Sequence, residues 1–133
     1  MLNQRDLDVL AILFSAEKSL TATEIVEYKR GLTQSTVTAV LRKLLKDGLV
    51  EVDGVTHSGK VLSRTYKSSE KSLQAVTDYF VKMYGMFADV VSMSDMCRCI
   101  FGIDSENVEI NKKEMAQLKK FLKEYERSLK ETS

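Results

Sequence analysis

The chain has 133 residues, 44% hydrophobic and 29% charged, with a formal net charge of +1; that is the balance of a folded globular protein, neither disordered nor membrane-embedded. No apolar run approaches the roughly 18 residues a membrane span needs, and the opening Met-Leu-Asn-Gln-Arg-Asp lacks a signal-peptide pattern, so a cytoplasmic location without a membrane partner is expected. Charge is unevenly spread: residues 1–67 hold ten Lys/Arg against eight Asp/Glu, residues 68–133 ten against eleven.

Asn3 and Asp6 open a first helix whose Leu7, Leu10, Ala11 and Phe14 recur at i, i+3, i+4 and i+7; it should end near Ala16. Thr21-Ala-Thr-Glu24 is a capping box for a second helix with Ile25, Val26 and Tyr28 on its apolar side, and Gly31 stops it.

From Tyr28 to Lys46 there is no acid, while Lys29, Arg30, Arg42, Lys43 and Lys46 supply five positive charges. At roughly 100° per residue, Val37, Val40, Leu41 and Leu44 gather on one side of a third helix, and Ser35, Ala39, Arg42 and Lys46 fall opposite, flanked by Thr38 and Lys43. Thr33 or Ser35 can cap its start, and Gly48 stands where a left-handed C-terminal cap is needed. Two helices joined so tightly, the second with a polar outward face, read as a helix-turn-helix whose second helix enters the major groove of DNA.

After Gly48 the period changes. Residues 49–53 read as a strand, 54–59 as a turn and 61–66 as a returning strand, a hairpin carrying His57, Lys60 and Arg64. The order is that of a winged helix. Affinity is expected from Arg42, Lys43, Lys46, Lys60 and Arg64, with His57, against phosphates, and sequence choice from Gln34, Ser35, Thr38, Ala39 and Arg42, with Thr36 also among the DNA-binding residues.

A helix from Ser69 to about Phe87 carries Leu73, Val76, Phe80, Met83 and Phe87 at 3-4-3-4 spacing. A short helix opened by Ser92 and Asp95 and closed by Gly102 follows, and then one capped by Asn111 and Glu114 with a second seam of Met115, Leu118, Leu122, Tyr125 and Leu129. Each seam covers about two heptads. They either pack on each other within one chain or join two chains, and a homodimer is expected because a helix-turn-helix reads half-sites best as a pair. The expected fold is mainly α with a small β-hairpin: a winged helix-turn-helix DNA-binding domain over 1–68 and a helical dimerisation module over 69–133.

Leu20-Thr-Ala-Thr-Glu-Ile25, Thr36-Val37, Leu41, Leu44, Lys46, Gly48-Leu-Val50, Gly59-Lys60 and Arg64-Thr-Tyr66 resemble the penicillinase-repressor family, which includes β-lactamase, methicillin-resistance and copper-responsive repressors. The resemblance covers about residues 3–70. It implies a homodimeric repressor gripping a palindromic operator in double-stranded DNA, with the C-terminal helices forming the dimer. The family usually has Thr where this chain has Ala39, Arg at Lys43 and a basic residue at Asp47, so a different base preference is expected. The Asn-Phe bond cut in protease-induced members is absent, and only one Cys-x-Cys, Cys97-Arg-Cys99, stands where copper-responsive members have two; neither inducer is supported.

One Cys-x-Cys and a distant His57 fall short of four convergent zinc ligands, and with a single His and no Gly-rich phosphate loop neither an enzyme nor a cofactor is expected. Two other readings stay open: a winged helix used for protein contact, and a ligand sensor whose pocket is formed near 79–96 by Tyr79, Phe80, Tyr84, Met86, Phe87, Met93 and Met96.

Overall fold

Caps divide the chain, as their side chains require. In the computed structural model, which describes residues 1–28, 31–103 and 106–132, Asn3 and Asp6 form a reciprocal capping box and start α1, Gln4–Ser15. Thr21 and Glu24 do the same for α2, Ala22–Tyr28: the Thr21 N–H donates to Glu24 Oε1 at 3.0 Å and the Glu24 N–H to Thr21 Oγ1 at 3.1 Å. Thr33, not Ser35, caps α3, Gln34–Lys46, by accepting the Thr36 N–H at 3.2 Å. Gly48 leaves α3 at φ +76°, letting the Leu49 N–H reach the Leu44 carbonyl at 2.9 Å, the left-handed ending that a side chain disfavours.

The buried face of α1 differs from the expected one. Val9, Leu10, Ile12 and Leu13 are buried, whereas Ala11 and Phe14 are exposed. They meet Leu20, Ile25, Val37, Val40, Leu41, Leu44 and Val50 in one core; each such side chain, taken fully out of water, contributes on the order of 1.5–3 kcal/mol.

The hairpin is longer than expected. β1, Val50–Ser58, pairs antiparallel with β2, Val61–Ser68, from Val50↔Ser68 to Ser58↔Val61. Gly54, expected to begin the turn, lies within β1 opposite Thr65, and the register shifts between Val52 and Gly54, so Asp53 is the bulged residue. Gly59 and Lys60 alone make the turn, with Gly59 at φ +66°, as a two-residue hairpin with glycine first requires. Leu20 exchanges backbone hydrogen bonds with Tyr66, at 3.0 and 2.7 Å, pinning the base of the wing to the segment before α2.

α4, Glu70–Gly85, follows, and the chain divides into two compact units, residues 1–85 and 86–133. The expected division after residue 68 differs from this one by α4, whose Ser72 is buried and whose half-buried Val76 packs on the core of the first unit. Phe87 falls past the helix, in the turn over 86–90. In the second unit, Ser92 caps α5, Met93–Gly102, accepting the Asp95 N–H at 3.1 Å. Gly102 is the last helical residue and not a left-handed stop, positive φ among the described residues being confined to Gly31, Gly48 and Gly59. α6 runs Val108–Thr132. It begins before the expected Asn111 because Asn107 Oδ1 accepts the Ile110 N–H at 3.3 Å and so caps one turn earlier.

Candidate nucleic-acid interface

Helix α3 presents two faces of opposite chemistry. Val37, Val40, Leu41 and Leu44 are buried, while Gln34, Ser35, Thr38, Ala39, Arg42 and Lys46 are exposed, so the helical period places these side chains as expected. Among the described residues neither Arg42 nor Lys46 forms an ion pair, which leaves both guanidinium and ammonium available to an anion. Lys29 and Arg30 lie outside the described residues.

The first turn of α3 is organised by hydroxyls. Thr33 Oγ1 donates to Thr36 Oγ1 at 2.9 Å and lies 3.3 Å from Ser35 Oγ. Thr36 is half-buried within this cap, more a part of the helix start than of its outward surface. Gln34 receives a long hydrogen bond, 3.5 Å, from the Thr23 hydroxyl of α2.

Lys43 departs from the expected role against phosphate. Its ammonium turns inward to Asp6 Oδ2 of α1 and to the Met1 carbonyl, 3.1 Å away. The period places Lys43 only at the flank of the outward face, and a buried carboxylate draws a flexible ammonium toward it. The sequence does not announce this role for Asp6: nothing in a capping box points to a partner on another helix.

On the wing, His57, Lys60 and Arg64 are all exposed; Lys60 lies in the turn, His57 opposite Leu62 and Arg64 opposite Val55. His57 and Thr56 also border a cleft of about 420 Å³ whose other lining residues include Lys18, Glu24 and Glu27. The base of the wing is held by a cluster the sequence does not suggest. Ser19 donates to Asp53 Oδ2, and Lys67 pairs with Asp53 at 3.3 Å and Glu51 at 3.9 Å. The Ser19 hydrogen bond, then Lys67, keep the Asp53 carboxyl below its ordinary range.

Of the residues expected to line a ligand pocket, Tyr79 borders a cleft of about 320 Å³ with Met1, Leu2, Asp47, Leu49, Ala75, Asp78 and Lys82. Phe80, Met86, Phe87 and Met93 are exposed, and Tyr84 and Met96 half-buried. Cys97 is half-buried and Cys99 exposed, and among the described residues no three His, Cys, Asp or Glu side chains converge as metal ligands. No described helix is long and apolar enough to cross a membrane.

Solved structures of winged-helix regulators share this arrangement. Bacillus subtilis PadR in complex with operator DNA superposes with a TM-score of 0.51 at 18% identity over 61% of this chain and 49% of PadR; the chain thus matches about half of PadR's length. The complex structure of hsRosR-S1 gives 0.55 at 18% identity, covering 82% of this chain and 94% of that one. A mutant of MepR from a multidrug-resistant S. aureus clinical isolate gives 0.52 at 16%, covering 82% and 79%. No family model matches the sequence, and no curated protein matches it. The fold is a winged helix. The penicillinase-repressor resemblance is supported at that level alone, since these neighbours are regulators of other kinds.

Proposed function

We propose that the chain is a DNA-binding transcriptional regulator, a homodimeric repressor acting in the cytoplasm, that places α3 in the major groove of a palindromic operator and lays the wing on the backbone. The observation that carries this reading is the outward face of α3: small and polar side chains, Ser35, Thr38 and Ala39, beside two cations, Arg42 and Lys46, that form no ion pair among the described residues, on a helix whose other face is seated in the core. Short side chains let the helix approach base edges, where a hydroxyl reads polar groups and the Ala39 methyl meets a thymine methyl. Cations of that kind supply the salt-sensitive attraction to phosphates. The likeness in fold to PadR, a protein solved with operator DNA, supports the reading.

The test is retardation of duplexes from the region around the protein's own gene, at several salt concentrations. Arg42→Ala with Lys46→Ala should weaken binding and reduce the slope of log K on log salt by about 1.8, or about 0.9 for each phosphate no longer neutralised. An unchanged slope removes those two residues from the interface. No retardation of any duplex at low salt points instead to a winged helix used for protein contact.

The second unit supports the homodimer. Met115, Leu122, Tyr125 and Leu129 of α6 are each about half exposed, and none of its residues is buried. A seam of apolar side chains left open to water is the surface a second copy of the same helix would cover.

A further inference from the structure

Asp6 is 1% exposed, the least accessible acid of the first unit, and it lies in α1. Its Oδ2 accepts the Asn3 N–H at 2.9 Å and the Lys43 ammonium; Oδ1 is buried without a hydrogen-bond partner among the described residues. Capping alone needs only a polar acceptor, which Asn or Gln supplies without charge. A buried carboxylate is costly unless a cation offsets it, and here that cation comes from the third turn of α3, which also grips the Met1 carbonyl at 3.1 Å.

We propose that the Asp6–Lys43 pair is a tether fixing the roll of α3 for base reading, with Asp6 a positioning residue and Lys43 its handle rather than a phosphate ligand; this rests on the DNA reading above. Lys43 lies roughly 100° around the helix from Arg42 and 60° from Lys46, so drawing Lys43 against α1 holds both neighbours outward. The apolar face seats α3 in the core, and a charged contact on its flank adds a restraint on its roll. A roll of roughly 20° carries the surface of a helix through about 2 Å. Hydrogen bonds to base edges do not survive that displacement, whereas long side chains follow a phosphate through it. The tether therefore acts on discrimination more than on affinity.

Lys43→Met, which keeps the apolar stem, and Asp6→Asn, which keeps the cap acceptor, separate the possibilities, with Arg42→Ala as reference. Each is titrated against a duplex selected from a random pool by the unmodified protein and against an unselected duplex of equal length, and thermal melts establish that each variant is folded. Lys43→Met should keep the salt slope while Arg42→Ala lowers it by about 0.9. Both tether variants should cut the ratio of selected to unselected affinity by roughly tenfold, about the cost of one mismatched base pair, and the double variant should be no worse than either single one. A slope that falls for Lys43→Met in step with Arg42→Ala overturns the tether and returns Lys43 to the phosphate-binding set. An unchanged affinity ratio overturns it too. If Asp6→Asn does not fold, Lys43→Met decides by itself. Failure of the unmodified protein to retard either duplex is a different result: it overturns the DNA reading, and the positioning role with it.

Discussion

The two units are built from similar amphipathic helices and end in opposite conditions. In the first, Val9, Leu10, Leu20, Ile25, Val37 and Leu44 are at most 1% exposed, and short helices of 7 to 13 residues close a core around them. In the second, α5 and α6 bury nothing, although α6 runs for 25 residues and repeats its apolar side chains just as regularly. Periodicity alone therefore does not separate a helix that packs within its chain from one that waits for another surface. What separates them is whether several faces of different directions converge. Three helices and a strand do so in the first unit; two helices cannot enclose a side chain from all sides. Helical stability comes mostly from such packing, so the second unit gains more than the first from any surface that covers it.

The sharpest test of this contrast is truncation of one leucine from each unit. Leu44→Ala should cost about 2–5 kcal/mol in urea unfolding, since the cavity opens at the centre of the core. Leu122→Ala, at a site 53% exposed, should stay within about 0.5 kcal/mol at protein concentrations too low for association. Equal losses would mean that α6 has a core of its own.

Next in size is the seam. If the proposed homodimer forms through α6, Leu122→Glu with Leu129→Glu should convert it to a folded monomer in sedimentation, and should weaken binding to paired half-sites by about a hundredfold as the linkage between two reading heads is lost. Sedimentation identical to that of the unmodified protein would remove the second copy as the occupant of that face.

The same contrast explains what could be read from the residues alone. Helix α3 was legible because its one-sided pattern, its Thr33 cap and Gly48 all agree, and the structure buries Val37, Val40, Leu41 and Leu44 while it exposes Ser35, Ala39, Arg42 and Lys46. α1 was not, because Val9, Ile12 and Leu13 compete with Leu7, Ala11 and Phe14 for the apolar face, and only the neighbours decide which side wins. Gly54 imitated a turn while serving a bulge, since glycine suits both. Lys43 and the Ser19–Asp53–Lys67 cluster were invisible for a simpler reason. Their partners are distant in sequence, 37 residues for Lys43 and Asp6 and 34 for Ser19 and Asp53, and no local pattern encodes such a pair.

A smaller effect probes the start of the reading helix. Thr33→Ala removes the acceptor of the Thr36 N–H and should cost about 1 kcal/mol in chemical unfolding. Because Thr33 also arranges Ser35 and Thr36, binding to a selected duplex should fall further than unfolding alone predicts, and retardation under conditions where both proteins are fully folded reads the difference. A loss confined to stability would reduce the cap to a purely structural part.

The smallest effect lies with Glu24 of α2. Its carboxylate accepts the Thr21 N–H at 3.0 Å and lies 3.3 Å from the Lys18 ammonium; the backbone hydrogen bond, more than Lys18, keeps its pKa below the ordinary value. A carboxyl whose pKa is depressed by folding binds its proton more readily in the unfolded chain. Its contribution is therefore present above the unfolded value, near pH 4.3, and lost as pH falls through the lower folded value. Glu24→Gln keeps an acceptor for the Thr21 N–H and removes only the charge. The variant should thus unfold at a slightly lower denaturant concentration than the unmodified protein at neutral pH, and the gap should close below about pH 4. A gap that persists in acid would assign the stabilisation to the shape of the capping box rather than to its charge.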